Sequence, residues 1–152
     1  MPAVQLTIDC HDAGVLVPFW CLALDYVPSP PPAGHATWND WYLSVGVPED
    51  ELDLSHDGTD RIIDPTGRGA RIWFQPVPEV KSVKNRLHLD LFVGQDENGV
   101  KYPYAERAIR VRAKADALIA AGATEIGHVT APEHDRFTVQ LADPEGNELC
   151  LL

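Results

Sequence analysis

The chain has 152 residues, 45% of them hydrophobic and 23% charged, a balance that gives one compact soluble core and argues against disorder. Its 12 basic residues against 23 acidic ones leave a net charge of −11. Nucleic acid is therefore excluded as an expected partner, because phosphate binding rests on clustered Lys and Arg. No apolar run approaches spanning length, and the start Met1-Pro2-Ala3-Val4-Gln5 carries no basic stretch followed by an apolar one. The sequence thus predicts a cytoplasmic protein with no membrane partner. Cys10, Cys21 and Cys150 form an odd set without a CxxC pair, which reads as reduced thiols rather than a disulfide framework or a zinc knuckle.

In chain order, Val4, Leu6, Ile8 and Cys10 alternate with Gln5, Thr7, Asp9 and His11, the period of a strand with one buried face. Asp12 is placed to cap a helix bearing Leu16, Phe19, Trp20, Ala23 and Leu24, which Pro18 should kink or delay. From Pro28 to Asp60 the chain carries five prolines and an acidic run, Glu49 to Asp53, so most of this insertion is expected as loop. Inside it, Ala36 to Val47 holds Trp38, Trp41, Tyr42, Leu43 and Val45, which predicts a strand or the roof of a pocket. Arg71 to Gln75 is a short strand, and Pro76 to Val83 a linker. Leu87, Leu89, Leu91 and Val93 then face one way, with His88 and Asp90 on the other face of a central strand as the counterparts of Gln5 and Thr7. A helix follows from about Tyr104 to Ala121, with Ala108, Val111, Ala115 and Leu118 on one stripe and Gly122 at its C-terminus. Its Arg107, Arg110, Arg112 and Lys114 read as a solvated face, and His134-Asp135 as a solvated loop pair. Strands over Thr124–Val129, Arg136–Ala142 and Asn147–Leu152 finish the chain.

Two turns repeat: Asp64-Pro65-Thr66-Gly67 and Asp143-Pro144-Glu145-Gly146. Each closes a unit opened by an alternating run, so the chain is an internal duplication of a strand-helix-three-strand order. Module one spans about 1–78, with the insertion at about 28–60, and module two about 84–152. A ligand held between such units would be lined by both.

The chain resembles the glyoxalase/bleomycin-resistance/dioxygenase group, the vicinal oxygen chelate superfamily, and its glyoxalase-like subgroup. The resemblance rests on Ile8-Asp9-Cys10 leading to Phe19-Trp20, on Trp73-Phe74-Gln75-Pro76-Val77-Pro78-Glu79, on Lys84-Asn85-Arg86-Leu87-His88-Leu89-Asp90-Leu91 and on Ala142-Asp143-Pro144-Glu145-Gly146-Asn147-Glu148-Leu149-Cys150. It implies an α+β fold of two βαβββ modules whose curled mixed sheets surround a concave pocket, and a homodimer. In metal-using relatives the ligands are His or Gln on the opening strands and Glu on the closing ones. Carried over, these positions are Gln5 and His88 at the openings. At the closings they are Cys150 and either Gln75 or Trp73, depending on how the insertion is counted. The ligand set Gln5, Gln75, His88 and Cys150 lacks a carboxylate, so a hard cation such as magnesium fits it poorly. The expectation is one divalent metal (zinc, iron, nickel or manganese) or none.

His88 can also be a hydrogen-bonded structural histidine, and Cys150 a small core residue. Asp9 and Asp90 are disfavoured in strand interiors and point to a polar cavity or to backbone-satisfying roles. Trp38, Trp41 and Trp73 are core, lid or pocket residues. Two functions stand against each other. In the first, the protein binds or sequesters an aromatic or cationic small molecule through Asp9, Trp38, Trp41, Trp73, His88 and Asp90. In the second, a metal near His88 polarises adjacent oxygens while Asp90 moves a proton, as in a lyase, isomerase or dioxygenase. A purely structural or partner-binding module is the third reading.

Overall fold

A computed structural model describes residues 3–152. In the first unit, which ends at Val80, strand β1 (Gln5–Cys10) runs through Asp12 into helix α1 (Ala13–Leu24). The Asp12 carboxylate accepts the Gly14 N–H at 2.8 Å, answering one of the orphan donors at the helix start. Pro18 lies inside α1, yet the helix begins at Ala13 without delay. Burial of Leu16, Phe19, Trp20 and Ala23 along one stripe offsets the backbone bond that proline forfeits. Strands β2 (Val27–Pro28), β3 (Arg61–Ile63) and β4 (Arg71–Pro76) complete a sheet in the order β1-β4-β3-β2, with β1 parallel to β4. Ile62, Ile72 and Phe74 are buried on its helix side. The opposite face of the β1–β4 pair carries Gln5, Thr7 and Asp9 beside Arg71, Trp73 and Gln75.

The strand expected over Ala36–Val47 is instead helix α2 (Trp38–Ser44). Thr37 and Asp40 form a capping box: the Thr37 hydroxyl accepts the Asp40 N–H at 3.0 Å, and the Asp40 carboxylate accepts the Thr37 N–H at 3.2 Å. Trp38, Trp41 and Tyr42 sit three and four residues apart on one face, with Trp38 and Trp41 rings edge to face at 5.5 Å. Aromatic content suggests a strand, but this spacing and cap are those of a helix. Thr37→Ala should therefore cost about 1 kcal/mol, read from the urea midpoint. An unchanged midpoint would show that the box does not hold α2.

The second unit begins at Lys81 and repeats the plan with β5 (Leu89–Leu91), α3 (Tyr104–Ala120), β6 (Thr124–Ala131), β7 (Arg136–Ala142) and β8 (Glu148–Leu151). Its sheet order is β5-β8-β7-β6, with β5 parallel to β8. This is the first unit's order position for position. The architecture is thus α+β, two βαβββ units each built on a four-stranded mixed sheet. Helix α3 packs on β7 through Val111, Ala115 and Leu118, and Gly122 follows its cap at φ 107°. Two expectations need correction. β5 is an end strand rather than a central one and covers only three residues, so His88 precedes it and Leu87 is 86% exposed. Arg107 is buried rather than solvated, donating to the carbonyls of Tyr102 and Asp135 and to the Asp135 carboxylate.

The twin turns are built alike. Asp64 accepts the N–H groups of Thr66 and Gly69, each at 2.7 Å, and Asp143 those of Glu145 and Asn147 at 2.9 and 2.8 Å. Gly67 and Gly146 stand at φ 71° and 88°, where a side chain would be strained. Among the described residues no helix is long and apolar enough to cross a membrane.

Candidate functional site

Two places carry chemistry, one in each unit. In the second unit, parallel pairing puts Asp90 of β5 directly beside Cys150 of β8, on the face opposite the buried Leu149 and Leu151. His88 lies two residues before Asp90 and so shares its side. Its Nδ1 is 3.1 Å from the Asp90 carboxylate. One ligand atom from each of His88, Asp90 and Cys150 can be chosen so that all lie within 4.8 Å of one another. His88 and Asp90 are exposed and Cys150 half-buried. Burial raises the pKa of the Cys150 thiol, and the Asp90 charge and a thiol–Asp90 hydrogen bond add to the rise. Glu148, on the same face of β8, is engaged elsewhere. It pairs with the Lys84 ammonium, accepts the Asn85 N–H at 3.3 Å and is held below the usual carboxylate range mainly by Lys84.

The chemistry of this donor set fits a divalent metal. Imidazole, carboxylate and a thiolate, formed when a metal displaces the Cys150 proton, are the ligand types that zinc takes, and three protein ligands leave a coordination position for water or substrate. Iron and nickel also accept this mixture, while manganese suits the thiolate least. Asp90 supplies the carboxylate missing from the expected ligand set.

In the first unit the position equivalent to His88 holds Gln5, and those equivalent to Asp90 and Cys150 hold Thr7 and Trp73. Thr7 pairs with Trp73 in the β1–β4 register, as Asp90 pairs with Cys150, so Trp73 rather than Gln75 is the closing counterpart. Gln5 pairs with Arg71 and Gln75 with Asp9, which places Gln5 and Gln75 four residues apart along the ladder, roughly 13 Å. The pairing does not bring them together. Asp9 is exposed beside Gln75.

The aromatic residues of the first unit surround an internal cation. The Arg61 guanidinium carbon lies 4.4 Å from the Trp38 ring centre, 5.4 Å from that of Trp73 and 6.0 Å from that of Trp41. Trp38 is buried and donates its indole N–H to the Ser29 carbonyl at 2.8 Å. Asp60, only 7% exposed, accepts from the Tyr42 hydroxyl at 2.6 Å and the Trp73 indole at 2.7 Å, both on Oδ2. Burial, then the hydrogen bond and charge of Asp60, raise the pKa of Tyr42 far above its ordinary value. Beside this network opens a cavity of about 550 Å³ whose walls include Asp12, Tyr42, Asp53, Asp60, Trp73 and Gln75. Asp60 and Arg61 escape a sequence reading because their partners are remote. The available signal is an acid-base pair at the junction of the insertion and an aliphatic pair, Ile62-Ile63.

A model of the glyoxalase-like domain matches residues 5–152. Similar solved structures include a glyoxalase/bleomycin resistance protein/dioxygenase family enzyme from Burkholderia phytofirmans PsJN, at 16% identity and a TM-score of 0.57 over 97% of this chain and 94% of that one. A glyoxalase/bleomycin resistance protein from Albidiferax ferrireducens T118 gives 16% and 0.53 over 97% and 94%. A superfamily member from Sphaerobacter thermophilus DSM 20745 gives 13% and 0.52 over 99% and 95%. At these identities the likeness concerns the fold. No curated protein sequence matches the chain.

Proposed function

The chain belongs to the glyoxalase-like domain family of the glyoxalase/bleomycin-resistance/dioxygenase superfamily, and from that premise we propose that His88, Asp90 and Cys150 hold a divalent metal and act on a small substrate with adjacent oxygens. The convergence of three different donor atoms within 4.8 Å carries this reading. When bound, such an ion supplies Lewis acidity toward vicinal oxygens. His88 and Cys150 serve as ligands. Asp90 has two oxygens, so one can ligate while the other takes a proton from the substrate, the step shared by lyase and isomerase chemistry.

Elemental analysis of untagged protein, after exposure to zinc, iron, nickel and manganese in turn, tests the assignment. One equivalent of metal is expected, reduced by at least about tenfold in affinity for His88→Ala. A chain that stays metal-free throughout overturns it.

A second reading, binding or sequestration of an aromatic or cationic compound without a metal, is favoured by the cavity of the first unit, which is both acidic and aromatic. Of the residues expected to bind such a ligand, Trp73 lines this cavity, with Tyr42 as a second ring, whereas Asp9, Trp38, Trp41, His88 and Asp90 are not part of its wall.

A further inference from the structure

We propose that the cavity of the first unit, at the C-terminal ends of β1 and β4, is a binding site for a planar aromatic monocation. This rests on the second reading above and gives it a ligand class. A volume of about 550 Å³ suits a drug-sized ring system. Asp12, Glu51, Asp53 and Asp60 line it, and no lysine or arginine does. Its histidines are His11 and His56, the latter 3.0 Å from Asp53.

Asp60 is the observation that singles this cavity out from an ordinary acidic surface. It is 93% buried by its 7% exposure, and its Oδ1 has no hydrogen-bond donor. The nearest charge is the Arg61 Nε at 3.4 Å, and that guanidinium lies over the Trp38 ring. Both donors on Oδ2 are neutral groups. Oδ1 is itself shut off from solvent, so this carboxylate, paired with Arg61, acts on a cation at its wall through its field and not by direct contact. Tyr42 and Trp73 tie their polar atoms to that same carboxylate, and although the Arg61 guanidinium lies 5.4 Å from the Trp73 ring centre, both residues also line the cavity, where their ring surfaces can stack on a ligand.

The charge recognised is diffuse. Among the described residues, the one group of three or more His, Cys, Asp or Glu ligand atoms close enough for a metal ion is His88, Asp90 and Cys150 in the other unit. The carboxylates of the cavity are spread around its wall, which suits a delocalised organic cation over a metal ion. Most of the wall comes from the insertion, so the duplicated frame alone would not make this site.

Fluorescence titration with proflavine, and with acridine, its neutral parent at mildly alkaline pH, tests the inference. Proflavine should bind once per chain, and acridine at least about tenfold more weakly. Asp60→Asn keeps an acceptor for Tyr42 and Trp73 and should weaken proflavine by about tenfold. The rim variant Glu51→Gln/Asp53→Asn alters exposed side chains only and should weaken it several-fold. Asp116→Asn, exposed on α3, and His88→Ala should leave it unchanged. Acridine binding as tightly as proflavine overturns the cation assignment while the binding reading stands. Binding of neither dye overturns both. Equal weakening by Asp116→Asn, or loss in His88→Ala, overturns the site.

Discussion

Asp60→Ala is expected to destabilise the first unit by about 3–5 kcal/mol, the cost of breaking a buried charge pair by removing one partner. The alanine would leave the Tyr42 hydroxyl and the Trp73 indole N–H, now bonded at 2.6 and 2.7 Å, without an acceptor in a buried setting. It would also leave the Arg61 guanidinium, one-quarter exposed, without its counter-charge among three tryptophans. Asn in the same place retains one acceptor oxygen and should cost about half as much. Thermal unfolding read by tryptophan fluorescence should fall on the order of 10 °C for alanine, with Trp73 as the reporter nearest the change. A loss below about 1 kcal/mol for Asp60→Ala would mean that Tyr42 and Trp73 find other acceptors, and the network would lose its central role.

What a sequence shows depends on how far apart the interacting residues are. α3 is legible because Val111, Ala115 and Leu118 carry its stripe within one helix, and the two Asp-Pro turns because each closes on its own backbone. α2 misleads because its aromatic residues favour strands as a class, while the deciding signal is the pair Thr37 and Asp40. Pro18 does not delay α1, since burial of the helix offsets its local penalty. Alternation puts His88 and Asp90 on one face, and counting from the turn brings Cys150 to the closing strand. That Asp90 meets Cys150 needs the β5–β8 register, which no local pattern contains. Asp60 lies 13 residues from Trp73 and 18 from Tyr42, so its role appears only once the insertion is folded.

The same order of strands carries different side chains at matching positions of the two units. At matching ladder positions the second unit has Asp90 beside Cys150, and the first has Thr7 beside Trp73. A threonine and an indole cannot replace a carboxylate and a thiolate at a metal, so at these two positions the ligand types are confined to the second unit. In the first, the Trp73 side chain takes a different role. Its N–H fixes Asp60, and its ring borders the cavity that the insertion adds. Metal affinity and organic-cation affinity should therefore separate by mutation.

Arg107→Ala should cost about 3–4 kcal/mol, the largest loss expected in the second unit. The residue sits on the buried stripe of α3, four positions before Val111, and is 5% exposed. Its guanidinium donates to the Tyr102 carbonyl at 2.9 Å and the Asp135 carbonyl at 2.8 Å, and pairs with the Asp135 carboxylate. It thereby joins the segment before α3 to the loop between β6 and β7, where Asp135 holds the left-handed backbone at φ 50°. Alanine would orphan two carbonyls and remove the aliphatic stem that packs against Gly94. Lysine keeps the charge and the stem, but its single ammonium cannot reach both carbonyls in the geometry of a planar fork. Arg107→Lys should therefore recover about half of the loss. Urea unfolding of the two variants decides between roles: a full rescue by lysine would show that charge alone holds the loop, whereas partial rescue is the expected mark of a two-sided hydrogen-bonding clamp.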